Sequence, residues 1–239
     1  MKNLLIIKTG DTFPEIKAID GDFEDMFASS LSGTDVSITV YDARELLPYP
    51  KLSDYAGVII TGSHSMVTDC EPWSERLLSY IKTMHETKLP TLGVCYGHQL
   101  IAKALGGEIG LHPGGPQAGS TEITLTEAGK LDRLLGSSPE TFKVNAGNSQ
   151  RITQLPTGAT VLAGNDFEPH QAVRFGEMMW GLQFHPEFNR RVTCAYIDRT
   201  AEVLRKHNRH AAAVKTGCID TEDSQKILSD FAQLSKTVS

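Results

Sequence analysis

Pro90-Thr-Leu-Gly-Val-Cys-Tyr-Gly-His-Gln-Leu-Ile-Ala-Lys-Ala-Leu-Gly-Gly107 decides how the rest of the sequence is read. Pro90 precedes a short apolar strand, Thr91–Val94, and Gln99–Leu105 reads as a helix closed by Gly106-Gly107. Cys95 stands at the junction, flanked by Gly93 and Gly97. A sharp strand-to-helix turn of this kind presents one side chain at the edge of a sheet, as in a nucleophile elbow. Glycine allows tight backbone approach where a side chain would clash. The positive end of the following helix favours a thiolate. A cysteine taken alone is ordinarily a buried structural residue; Gly-x-Cys-x-Gly-x-Gln at such a junction reverses that weighting.

Upstream, short apolar runs alternate with amphipathic stretches. Leu4–Ile7, Val36–Tyr41 and Gly57–Thr61 read as strands. Phe23, Met26, Phe27 and Leu31 recur at helical spacing, as do Trp73, Leu77, Leu78, Ile81 and Met84. Strands separated by helices imply right-handed crossovers and a mostly parallel sheet. Ligands of such sheets bind beyond the carboxyl ends of the strands, so Gly62-Ser63, Cys95 and the residues after Tyr41 are expected on one edge.

Downstream, Ile109–Ser120 is rich in Gly and Pro. Short strands follow at 122–125, 141–144, 160–163, 171–175 and 178–184, with Gly176-Glu177 as a hairpin turn. The last strand delivers His185, in Trp180-Gly-Leu-Gln-Phe-His-Pro-Glu187. A histidine can activate a thiol and then protonate a leaving amine. A carboxylate on its second nitrogen fixes the tautomer and supports the imidazolium. Read alone, His185 and Glu187 are a polar pair at a strand end; read with the elbow they complete a nucleophilic constellation. An oxyanion would be met by the backbone N–H of Tyr96 and by that of Gly62 or Ser63. Residues 192–207 read as helical, and a last amphipathic helix spans 221–234.

The 239 residues carry a net charge of −6, with 40% apolar and 22% charged residues, the composition of an ordinary globular chain. No basic footprint points to nucleic acid. No apolar segment approaches a membrane span, and the four-residue run near the N-terminus is too short for a signal-peptide core. Cys70, Cys95, Cys194 and Cys218 are scattered and form no CxxC pair, which points to free thiols and a cytoplasmic protein. His207 and His210 have helical i, i+3 spacing but no third ligand nearby, so no metal or cofactor is expected. Residues 1–207 are expected to form one domain, with 208–239 as an extension bearing a packing helix.

Gly93–Gln99, Gly181–Glu187 and Ile60-Thr-Gly-Ser63 together resemble the class I glutamine amidotransferase superfamily, in particular the glutaminase domain of GMP synthetase and its stand-alone relatives. The resemblance covers roughly residues 1–200. It implies a flavodoxin-like α/β/α three-layer sandwich and a Cys95–His185–Glu187 triad. Cys95 would attack the γ-carboxamide of glutamine or of a related γ-glutamyl compound, and water would hydrolyse the thioester. Gln99 matches the family's substrate-contacting glutamine. The stretch that in the family helps to recognise the substrate's α-amino and α-carboxylate groups corresponds to Val144-Asn-Ala-Gly-Asn-Ser-Gln150. Asn145 and Asn148 are its candidate binding residues, although the usual histidine is missing. Ser63 stands where the family has a glycine. Three readings stay open: a stand-alone γ-glutamyl hydrolase, an ammonia-supplying subunit of a separate synthase, and a non-catalytic module on the same fold.

Overall fold

The computed structural model describes residues 3–238; Met1, Lys2 and Ser239, at the ends of the two expected segments, lie outside them. The N-terminal half alternates as expected: β1 (Asn3–Lys8), α1 (Pro14–Asp20), α2 (Phe23–Ser30), β2 (Ile38–Asp42), β3 (Tyr55–Ile60), α3 (Pro72–Glu86), β4 (Thr91–Val94) and α4 (Tyr96–Ala104). Then come β5 (Glu108–Leu111), β6 (Gln117–Leu125), α5 (Glu127–Lys130), β7 (Thr141–Asn148), β8 (Gln150–Gln154), β9 (Ala159–Gly164), β10 (Ala172–Phe175) and β11 (Met179–Leu182). The chain closes with α6 (Arg190–Arg199), α7 (Ala201–Lys206), α8 (Ala211–Thr216) and α9 (Glu222–Val238).

One large sheet runs β2-β1-β3-β4-β11-β10-β9-β6-β7. Its first five strands are parallel, and β10, β9, β6 and β7 continue it in antiparallel pairs. The parallel strands are apolar on both sides because both sides are covered. Leu4, Ile6, Ile59, Leu92, Val94, Trp180 and Leu182 face one core with Phe27, Ile227, Leu228 and Phe231. Leu5, Ile7, Val58, Ile60 and Met179 face the other with Leu77, Ile81, Met84, Leu100 and Ile101. Helices α2 and α9 therefore cover one face and α3 and α4 the other, the three-layer, flavodoxin-like arrangement.

Several boundaries differ from the sequence reading. Helix α4 starts at Tyr96 rather than Gln99, because the whole turn is made at Cys95. Part of the Gly/Pro-rich stretch is strand: β5 pairs with β8 in a separate two-stranded sheet, and β6 already begins at Gln117. The helix over 192–207 is two helices meeting at Thr200, whose hydroxyl donates back to the Tyr196 carbonyl at 3.0 Å. Helix α1 was not anticipated; Pro14 opens it with a preset φ. Among the described residues no helix is long and apolar enough to cross a membrane.

The segment that carries α1 and α2 is tied down by charge. Asp22 is fully buried, caps α2, and accepts from Thr12 N and Lys8 Nζ, both at 2.7 Å. Lys8 also reaches Glu24 at 2.6 Å. Burial opposes its ammonium charge, but the three carboxylates Asp22, Glu24 and Asp11 outweigh that and hold its pKa above the ordinary lysine range. This clamp fixes Phe13 and Phe23, the residues by which the segment meets the site described next.

Candidate active site

Cys95 adopts φ 51° and ψ −98°, a conformation that side-chain-bearing residues rarely take. The crowding around it explains the flanking glycines. A Cβ on Gly97 would lie 2.4 Å from the Ile60 carbonyl oxygen, and one on Gly93 would lie 2.6 Å from the Gly97 carbonyl. Helix α4 can press against β3 and β4 this closely only without those atoms. The sheet continues the construction on its other side. Strands β4 and β11 pair in parallel with Val94 opposite Leu182, and Cys95 N donates to Leu182 O at 2.8 Å. The residues that follow β4 and β11 therefore emerge together, Cys95 from one and His185 from the other.

His185 is held from four directions. Its backbone N–H donates to Asn145 O at 2.8 Å. Its Nδ1 donates to Glu187 Oε1 at 2.7 Å. Its ring stacks on Phe188 with centroids 4.0 Å apart, and Phe23 lies nearly parallel at 6.3 Å. Gly62 closes the fourth side: a Cβ there would be 2.9 Å from His185 Cε1 and 3.7 Å from Cys95 Cβ. Burial opposes a charge on the ring, but Glu187 and Cys95 outweigh it, and the His185 pKa is pushed up to about 10. The second oxygen of Glu187 is buried and has no hydrogen-bond partner.

A cavity of about 260 Å³ opens above Cys95, which is 7% exposed. Ser63, Tyr96 and Gln99 line it with Cys95, together with residues 147–150 and the rings of Phe13, His64 and Tyr196. The first N–H groups of α4, Tyr96 included, have no intrahelical acceptor. The Gly62 carbonyl is already occupied by Thr9 Oγ1 and Thr61 Oγ1, each at 3.0 Å. His185 and Glu187 lie beneath the cavity surface rather than in its lining.

The three expected binding side chains separate. Gln99 reaches the cavity, but its amide nitrogen is committed to Gln150 O at 2.8 Å and Gln183 Oε1 at 3.0 Å, leaving its carbonyl oxygen uncommitted. Asn148 also lines the cavity. Its Nδ2 donates to Gln150 O at 3.1 Å, while its Oδ1 is buried without a partner. Asn145 is not at the cavity. It is fully buried; its Oδ1 accepts from Ser120 Oγ at 2.7 Å and its Nδ2 donates to Phe188 O at 3.0 Å and Thr221 Oγ1 at 3.3 Å. Its place in the segment suggested a contact, but its partners make it a brace between the His185 turn and the start of α9. Sequence reading missed Phe13, His64 and Tyr196. They come from three distant segments and carry no shared spacing; His64's position directly after Ser63 was the one available signal.

The profile of the family described as glutamine amidotransferase class-I matches residues 18–201, which includes the elbow, the Gly62 turn and the His185 turn. The chain belongs to the class I glutamine amidotransferase family. Within it, the sequence is similar to γ-glutamyl peptidase 5 of Arabidopsis thaliana, 28% identical over 177 residues, covering 73% of this chain and 70% of that protein. It is also similar to the glutamine-hydrolysing GMP synthase of Aeropyrum pernix, 36% identical over 132 residues, covering 55% of this chain and 24% of the synthase. The crystal structure of a glutamine amidotransferase from Thermotoga maritima superposes with a TM-score of 0.77 at 19% identity, covering 98% of this chain and 99% of that one. That likeness bears on the fold alone.

Proposed function

We propose that the protein hydrolyses the γ-amide of γ-glutamyl compounds through a thioester on Cys95. The sulfur of Cys95 attacks the γ-carbonyl carbon. His185 takes the thiol proton and returns it to the departing nitrogen, and water then cleaves the γ-glutamyl thioester. Glu187 holds the ring and supports its charge. The N–H of Tyr96, with that of Gly62 or Ser63, stabilises the oxyanion. One observation carries the reading: Cys95 sits in a strained elbow, and a Cβ added at Gly62 would meet both Cys95 Cβ, at 3.7 Å, and the Glu187-bonded ring of His185, at 2.9 Å. Strain of this kind persists where the surroundings enforce it, and it clusters at reactive sites.

Residues 1–207 carry this chemistry in our reading, and 208–239 brace it through Asn145 and Thr221. A reducing, cytoplasmic setting accords with the four unpaired cysteines. The similarity to a GMP synthase over about a quarter of that enzyme favours one second reading, an ammonia-supplying subunit of a separate synthase. Both readings are tested by incubating the purified protein with glutamine and with γ-glutamyl amides and following glutamate and amine release, with Cys95→Ala as control. Release that requires a co-purifying ATP-dependent synthase selects the second; release by the protein alone selects the first. No release under either condition rejects both.

A further inference from the structure

The cavity beside Cys95 has two chemically different linings. One is aromatic. The rings of Phe13, His64 and Tyr196 stand in mutual contact, with centroids 4.2, 5.2 and 5.6 Å apart. The Tyr196 hydroxyl is engaged by Thr12 Oγ1 at 2.7 Å and His64 Nε2 at 3.1 Å, so the cluster's polar edges satisfy one another. The other lining is made of amides, Gln99 and Asn148. Its one buried acceptor without a donor is Asn148 Oδ1, on a residue that is 6% exposed. Among the described residues, no charged side chain lines the cavity.

On this lining Gln99 keeps an uncommitted carbonyl oxygen, an acceptor that a ligand N–H can meet. The free α-ammonium of a γ-glutamyl group is such a donor. The aromatic lining has the opposite demand: it gains from an apolar or aromatic group laid against it and nothing from ammonia. With the glutamyl head on the Gln99–Asn148 side, as the family resemblance implies, we propose that Phe13 and Tyr196 receive the substituent on the departing amine, so that γ-glutamyl amides of arylalkyl amines are preferred over glutamine. This inference rests on the reading of Cys95 as the nucleophile of a γ-glutamyl hydrolase and adds a substrate class to it.

The test compares kcat/KM for γ-glutamyl benzylamide, γ-glutamyl methylamide and glutamine. The benzylamide is expected to exceed the methylamide by tenfold or more. Phe13→Leu and Tyr196→Leu should bring that ratio near unity, while Tyr196→Phe, which keeps the ring, should retain it. Asn148→Leu should lower kcat/KM about tenfold for all three substrates and leave the ratio in place. Each variant is scored only if its melting temperature stays within a few degrees of the wild type, and Phe13→Met serves if Phe13→Leu fails that check. A wild-type ratio within twofold of unity, a ratio unmoved in both leucine variants, or an Asn148→Leu enzyme as active as wild type overturns the inference while the hydrolase reading stands. Cleavage of none of the three overturns both.

Discussion

A methyl group on Gly62 would stand 2.9 Å from Cε1 of His185, and that ring has no free direction in which to yield. Phe188 stacks on it and Glu187 holds Nδ1. Gly62→Ala must therefore displace the imidazole or the β3 turn. A shift of about 1 Å near reacting groups can cost on the order of 100-fold in rate. We expect Gly62→Ala to lower kcat by about that factor while destabilising the fold by only about 1–3 kcal/mol, the usual range for overpacking. Steady-state kinetics beside urea denaturation separates the two effects; unchanged kcat would mean that Gly62 is not in contact with the working ring.

Gly97 tests the elbow itself. Its missing Cβ would fall 2.4 Å from a strand carbonyl, where no side-chain rotation gives relief. Gly147 lines the same cavity with nothing within 4 Å of its added Cβ. Gly97→Ala should cost about 3 kcal/mol or prevent folding, whereas Gly147→Ala should change stability by less than about 1 kcal/mol. Equal denaturation midpoints for the two variants would contradict the packing described for α4.

The parallel half of the fold was legible because both faces of its strands are buried, which leaves uninterrupted runs such as Leu4–Ile7 and Thr91–Val94. Pair β5–β8 was not, since Glu108 and Leu111 are exposed and Gly110 breaks the pattern. Helix α1 buries only Ile16 and so leaves no periodic signal. At the site, Cys95, His185 and Glu187 stood out because each sits in a motif that restricts the backbone. The aromatic lining did not, because three contacts between residues 13, 64 and 196 exist only after the sheet has folded. The side chain of Asn145 was not placed by the sequence for a related reason: a buried amide in a strand can face either a cavity or the interior, and sequence does not distinguish them.

Asn145 gives a prediction in its own right. It joins Ser120, Phe188 and Thr221, and losing it leaves several buried polar groups unpaired. Asn145→Leu should destabilise the protein by about 2–3 kcal/mol. It should reduce kcat through the His185 turn while leaving KM near its wild-type value. A raised KM at constant kcat would instead return Asn145 to the role of substrate contact.

His185 sets a pH dependence. Its pKa lies near 10 in the folded chain against an ordinary 6.5, so its stabilising contribution is complete below about pH 6.5 and is lost as the pH rises toward 10. Glu187→Gln removes the carboxylate that supports the charge. Urea titrations should show the variant less stable than wild type by roughly 3 kcal/mol at pH 6, with the gap narrowing by pH 10. A gap that widens with pH would reverse the assignment of charge to the His185–Glu187 pair.

The thioester on Cys95 is the central claim, and rapid quenching of turnover followed by intact-protein mass spectrometry tests it most directly. Wild-type protein mixed with a γ-glutamyl amide should carry one added γ-glutamyl group, mapped to the peptide that contains Cys95 and absent from Cys95→Ala. Amine release by Cys95→Ala at the wild-type rate, or an adduct on any other residue, would contradict the account.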